Sequence, residues 1–299
     1  LAVLNGVLGD YLETSGNPLA IHMRLRRDGH PLQLDKSALS SAPPDAGGKL
    51  LVLAHGLCMN DLQWERQGHD HGTALARDLG YTPVYLHYNS GRHISTNGRE
   101  FADQLEILVA NWPVAVKELA ILGHSMGGLL ARSAWHYGTA ADHTWPRRLK
   151  KLVFLGTPHH GAPMERGGNL IDIALGVSPY TAPLSRLGKI RSAGITDLRH
   201  TWLLDEDWRG RDRFARSSGH HAAVPLPDGV KCFAIAATTG KQAGDIKDRL
   251  VGDGLVPLAS ALGCHAEHDR NLMFPPDRQW IALETGHLDL LCRKPVYER

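Results

Sequence analysis

From residue 50 onward, short apolar runs alternate with amphipathic stretches. Residues 50–54, 83–88, 119–122, 149–155 and 230–238 are apolar runs of strand length with no helical period, which predicts buried strands. Between them, 72–79 suits a helix, and Phe101, Leu105, Leu108 and Trp112 fall on one helical face. Strands alternating with helices predict a mostly parallel sheet covered on both faces. Upstream, Leu1, Leu4, Leu8 and Leu12 share a helical face within 1–13, although Gly6 and Gly9 weaken that helix. Ile21, Met23 and Leu25 alternate with His22, Arg24 and Arg26, a half-exposed strand, and Asp28-Gly29 follows as a turn signal. Residues 40–48 form a small, Pro/Gly-rich loop.

The alternation stops between Gly161 and Gly229. This stretch holds an apolar segment at 170–175, Val177 and Tyr180 nearby, then Trp202, Trp208 and a charged run. About 70 residues is too long for an ordinary connection between core strands. The expectation is a core built from 1–160 and 230–299 with an inserted cap at 161–229. The apolar 170–175 segment either contacts an acyl chain or packs the cap.

Composition narrows the class without naming a chemistry. The 299-residue chain is 42% hydrophobic and 21% charged, ordinary for a globular protein. A net charge of +2 gives no electrostatic case for nucleic acid. The arginines at 209, 211 and 213 lie among Asp205, Glu206, Asp207 and Asp212, which reads as a salt-bridged surface. Cys58, Cys232, Cys264 and Cys292 are too widely spaced for a metal or redox motif, and whether Cys264 and Cys292 pair is left open. No apolar run approaches the ~18 residues of a transmembrane helix. The first residue is Leu, so the N-terminus reads as trimmed, and the compartment, cytoplasmic or secreted, stays open. Among 18 histidines, His159-His160, His220-His221 and His265 with His268 are the tightest groups. None has metalloprotease spacing, and loop histidines are the expectation over a structural zinc.

The chemistry concentrates at Ile121-Leu122-Gly123-His124-Ser125-Met126-Gly127-Gly128. A serine in Gly-x-Ser-x-Gly, with a strand before it and a helix after it, predicts a nucleophile elbow. Cβ atoms at Gly123 and Gly127 would clash as the chain reverses. A serine hydroxyl needs a base, an orienting acid and an anion site, and in the α/β-hydrolase fold the order is Ser, Asp/Glu, His. Acid candidates after Ser125 are Asp245, Asp248, Asp253 and Asp269; Asp253 stands out because Gly252 and Gly254 flank it. His287 follows the last apolar run on a Gly-preceded loop, in the order expected for the base. Backbone N–H groups of Met126 and Leu57 are the candidate oxyanion donors, with Gly56 permitting close approach and His55 and His124 supporting.

These segments, with Leu155-Gly156-Thr157-Pro158-His159-His160-Gly161, resemble bacterial triacylglycerol lipases and the hydrolases related to GPI-inositol deacylase. The resemblance spans roughly residues 50–292. It implies an α/β-hydrolase fold with an inserted cap, and serine carboxylic-ester hydrolysis through Ser125, Asp253 and His287 on a small ester or lipid. No cofactor is implied beyond a calcium ion that some of these lipases hold through an aspartate two residues after the histidine; Asp289 occupies that position. The same triad serves an acyltransferase or amidase, and a non-catalytic ligand-binding member of the fold is the remaining alternative.

Overall fold

The computed structural model describes residues 1–40, 46–161, 192–211, 224–242 and 252–299. Within them, β1 (Arg24–Arg27), β2 (His30–Pro31), β3 (Lys49–Ala54), β4 (Thr82–His87), β5 (Glu118–His124), β6 (Leu149–Leu155), β7 (Lys231–Ala237) and β8 (Gln279–Ala282) form one sheet. Their order is β2-β1-β4-β3-β5-β6-β7-β8. From β4 to β8 every neighbouring pair is parallel. The antiparallel β1–β2 hairpin extends the β4 edge. It reverses at Asp28 and Gly29, both in the left-handed region (φ 50° and 74°), as a tight hairpin turn needs.

The helices are α1 (Ala2–Thr14), α2 (Lys36–Ser40), α3 (His71–Leu79), α4 (Ile94–Asn111), α5 (Met126–Ala140), α6 (Ala193–His200), α7 (Asp205–Trp208), α8 (Leu258–Ala261) and α9 (Lys294–Glu298). Strand periodicity divides the core in two. Leu50, Val52, Leu119 and Ile121 face Phe101, Leu105, Leu108 and Leu130 of α4 and α5. Leu51, Leu53, Ala120 and Leu122 face the other way, toward Trp64, Leu75, Leu290 and Val296. Burial of each large side chain such as Phe101 or Leu105 stabilises this layering by roughly 1.5–3 kcal/mol. Among the described residues no helix is long and apolar enough to cross a membrane.

The N-terminal helix forms, and of the face its leucines predict Leu12 is buried and Leu4 and Leu8 half-buried, but the buried side is turned toward the small residues. Leu1 is exposed, whereas Asn5, Gly6, Val7, Gly9 and Leu12 are buried. Small residues decide this, because a Cβ at Gly6 would stand 2.3 Å from Cys58 Sγ and α1 could not pack so closely. All four cysteines are free thiols, so Cys264 and Cys292 do not pair. Of the expected cap, residues 192–211 and 224–229 are described; 170–175, Val177, Tyr180 and His220-His221 lie outside the described residues. So do Asp245 and Asp248 among the acid candidates, most of the 40–48 loop, and Asp212 and Arg213 of the charged run. Arg209 meets Asp205 at 2.7 Å, as a salt-bridged surface requires.

Candidate active site

β5 runs straight into α5 with only Ser125 between them, and that residue carries the reversal. Its backbone sits at φ 53°, ψ −123°, a conformation that costs a non-glycine residue of order 1–3 kcal/mol. Its N–H donates to the Leu155 carbonyl (2.8 Å), which ties the elbow to the end of β6. The flanking glycines make the reversal possible. A Cβ at Gly123 would lie 2.6 Å from the Gly128 backbone, and one at Gly127 would lie 2.1 Å from the Ala54 carbonyl oxygen. Ser125 itself is 7% exposed.

Asp253 and His287 come together from loops beyond β7 and β8. Gly252 (φ 52°) and Gly254 (φ 100°) turn the chain on either side of the aspartate. One carboxylate oxygen, Oδ1, accepts from the N–H groups of Leu255 (3.0 Å) and Val256 (2.9 Å). The other, Oδ2, accepts from His287 Nδ1 at 2.7 Å, and the His287 backbone N–H donates to the Asp253 carbonyl. Both side chains are buried. With Nδ1 committed as donor, the neutral ring carries its lone pair on Nε2.

Two contacts set this pair beside the elbow. His124 Nε2 donates to the His287 carbonyl at 3.1 Å, with ring centroids 4.7 Å apart. A Cβ at Gly156, next to the Leu155 carbonyl that holds Ser125, would stand 3.2 Å from both Asp253 Oδ2 and His287 Cε1. Burial, then the neighbouring His287, holds His124 well below the usual imidazole range, so it bonds as a neutral ring.

Met126 opens α5, where the first N–H groups of a helix have no partner within it. Gly56 approaches from β3, close enough that a Cβ there would lie 3.1 Å from Ser125 Cβ. Leu57 follows Gly56, and the next amide, Cys58 N–H, is taken by Ser90 Oγ (3.0 Å). His55 is buried, its Nδ1 2.9 Å from the Gly56 carbonyl, and stacks on Tyr88 at 4.3 Å. Burial draws its pKa down to about 4, so it braces the loop as a neutral ring.

Asp289 turns back on its own loop, with Oδ2 accepting from Gly286 N–H (3.0 Å). Among the described residues no three His, Cys, Asp or Glu side chains gather where they could hold a metal ion. Asp269 belongs to a short 3₁₀ turn lining a different cavity.

The structure also brings in groups that sequence reasoning passed over. Val7 of α1 and Ile195 and Leu198 of α6 pack on Leu57, Cys58, Met126 and Leu129. Ser192 Oγ donates to the Gly6 carbonyl and Ala193 N–H donates to Asp10, joining the two covering helices. The one signal in the sequence was Gly6 with Gly9, three apart on a helix whose leucine spacing caught only part of the buried face.

The family model for the PGAP1-like alpha/beta domain matches residues 45–226, from just before β3, past the elbow, to just before β7. The chain belongs to that family. As a member of the PGAP1-like alpha/beta domain family, it shares the fold of solved lipases. It superposes on the mature Bacillus licheniformis lipase BlEst2 with a TM-score of 0.54 at 15% identity, over 93% of this chain and 96% of that one. With Aspergillus fumigatus lipase B the TM-score is 0.51 at 12% identity, over 89% of this chain and 57% of the lipase. At such identities the likeness is one of α/β-hydrolase fold. No curated protein matches the sequence significantly.

Proposed function

We propose that the protein is a serine carboxylic-ester hydrolase acting on small esters or lipids. The observation that carries this is the buried Asp253–His287 hydrogen bond of 2.7 Å beside a serine held at φ 53° in the β5–α5 elbow. In the proposed reaction Ser125 Oγ attacks the ester carbonyl carbon while His287 Nε2 takes its proton. The oxyanion forms against the Leu57 and Met126 N–H groups, each such donor contributing on the order of 10²–10³ in rate. His287 returns the proton to the leaving alcohol, and water then attacks the acyl-enzyme by the same route. Asp253 holds the tautomer and stabilises the imidazolium. Every group this sequence needs comes from the chain itself.

The inserted segment 161–229 acts as the cap in this reading. Support comes from α6, whose Ile195 and Leu198 pack on Leu57 and Met126. Short- to medium-chain acyl esters are the substrates proposed for first assay. A p-nitrophenyl ester series from acetate to decanoate, on wild type and Ser125→Ala, tests the mechanism. Wild type should hydrolyse the esters and be labelled by a fluorophosphonate, while the variant loses both, with kcat falling on the order of 10⁴–10⁶-fold. Equal rates for the two proteins would reject the mechanism. Adding competing alcohols and amines separates hydrolysis from acyl transfer through the products formed.

A further inference from the structure

A cavity of about 120 Å³ opens where α5 and the loop after β6 meet residues 201–203 and 224–226. Arg132, His159, His160, Asp269 and Arg270 are among its lining residues. Arg132 lies two turns along α5 from Ser125, roughly 10 Å at 1.5 Å per residue. The ester chemistry makes no use of it.

Arg132 is only 4% exposed, yet no carboxylate among the described residues pairs with it. One terminal nitrogen donates to the Val224 carbonyl, the other meets His159 Nδ1 at 3.4 Å, and Nε has no partner. His159 is 1% exposed. Because its Nδ1 accepts from a guanidinium that can only donate, its proton sits on Nε2, and that atom also has no partner. His160 Nε2 is likewise buried and unpartnered. Arg270 pairs with Glu267 (3.8 Å) and Asp269 stands exposed, so Arg132 is the buried charge of the lining.

Burial of a cation without a counter-ion is strongly unfavourable, and so is burial of an N–H without an acceptor. Here both occur beside one cavity of mixed polar and apolar lining, with room for about four water volumes of ~30 Å³. Burial lowers the Arg132 guanidinium to about 10 and, against a hydrogen bond to the Gly263 backbone and with His265, Arg132 and Arg270 adding to it, draws His160 down to about 4. These are the strains that an acceptor carrying negative charge would relieve.

We propose that this cavity binds an oxyanion, the phosphate or carboxylate group of a small molecule, reached by small shifts of the Arg132 and His159 side chains, whose Nε–H and Nε2–H are otherwise closed to water. Occupancy clamps the 201–203 and 224–226 segments to α5, so binding registers as stability whether or not Ser125 reacts. The test is thermal unfolding of the full chain at pH 7 in inorganic phosphate, in acetate and in chloride at equal ionic strength. Phosphate or acetate should raise Tm saturably by roughly 2–4 °C at about tenfold excess over Kd, relative to chloride. The arm with the lower half-saturation identifies the anion class. The shift should vanish in His159→Gln and Arg132→Met and persist in Arg77→Met, a surface control. If Arg132→Met does not fold, His159→Gln and the ¹⁵N imidazole shifts of wild-type His159 on phosphate titration carry the same decision. No rise above chloride, or a rise undiminished in His159→Gln with unmoved His159 shifts, overturns the proposal.

Discussion

Ser125, Asp253 and His287 show how single residues would divide the work of the proposed site. The elbow serine stores backbone strain, which the glycines around it make sterically possible, and Asp253 divides its carboxylate between its own loop and His287. Replacing Asp253 by Asn keeps an acceptor for Leu255 and Val256. If its amide faces His287 it offers a donor where an acceptor is needed, forcing the wrong tautomer. Asp253→Asn should therefore lower kcat about 10⁴-fold while leaving Tm close to wild type, as steady-state kinetics beside thermal unfolding would reveal. Gly127→Ala should fail differently. Its Cβ would meet the Ala54 carbonyl at 2.1 Å, backbone against backbone, so a loss of at least 1–3 kcal/mol in stability is expected from urea unfolding.

Among the elements, α4 depends on a residue it does not contain. Its N-cap residue, His93, makes no side-chain cap to the helix amides. Asp197 of α6 supplies one instead, accepting from Ile94 N–H (2.7 Å) and pairing with His93 Nδ1 (2.9 Å). His93 in turn stacks on Trp208 at 3.7 Å. One carboxylate thus caps a core helix and fastens the covering segment above the elbow. Asp197→Ala should cost about 1–2 kcal/mol, the scale of a lost cap. It should also raise amide exchange in 192–211 before it does so in β5 and β6. Uniform exchange in all three would contradict a local fastening. Helix α1 follows similar logic through shape: Gly6→Val should push it off the Cys58 loop and reduce kcat/KM on p-nitrophenyl acetate.

For the whole molecule, buried histidines set the response to acid. His55 and His160 titrate near 4, and His71, His124 and His159 are also lowered, in every case chiefly by burial. Unfolding returns each to about 6.5. A base whose folded pKa is depressed contributes stability that is full above 6.5 and is lost as pH falls toward the folded value. Asp197 works in the opposite sense, since burial raises it to about 6 and folding there retains a proton. Five histidines outweigh one aspartate, so stability should fall between pH 6.5 and 4 with a net uptake of several protons on unfolding. Urea midpoints across that range give the slope directly; a flat profile would mean these rings are hydrated in the native state.

The alternation of apolar strands and amphipathic helices, and the elbow at Ser125, were legible in the chain because both are local. Strand burial follows period, and the glycines of the elbow lie within four residues of the serine they serve. The pairing of Asp253 with His287 could only be inferred from chain order, since the contact spans 34 residues. The face that α1 buries left only Gly6 and Gly9 as a trace, and two features left none: the capping of α4 by Asp197, and Arg132 without a counter-ion among the described residues. Each depends on which surfaces meet across the sheet, where close approach and loss of water decide the energy. Sequence by itself thus determined the layered fold and the candidate nucleophile. Only the tertiary structure decided what covers that nucleophile and where buried charge goes unpaired, because packing and desolvation belong to the assembled chain.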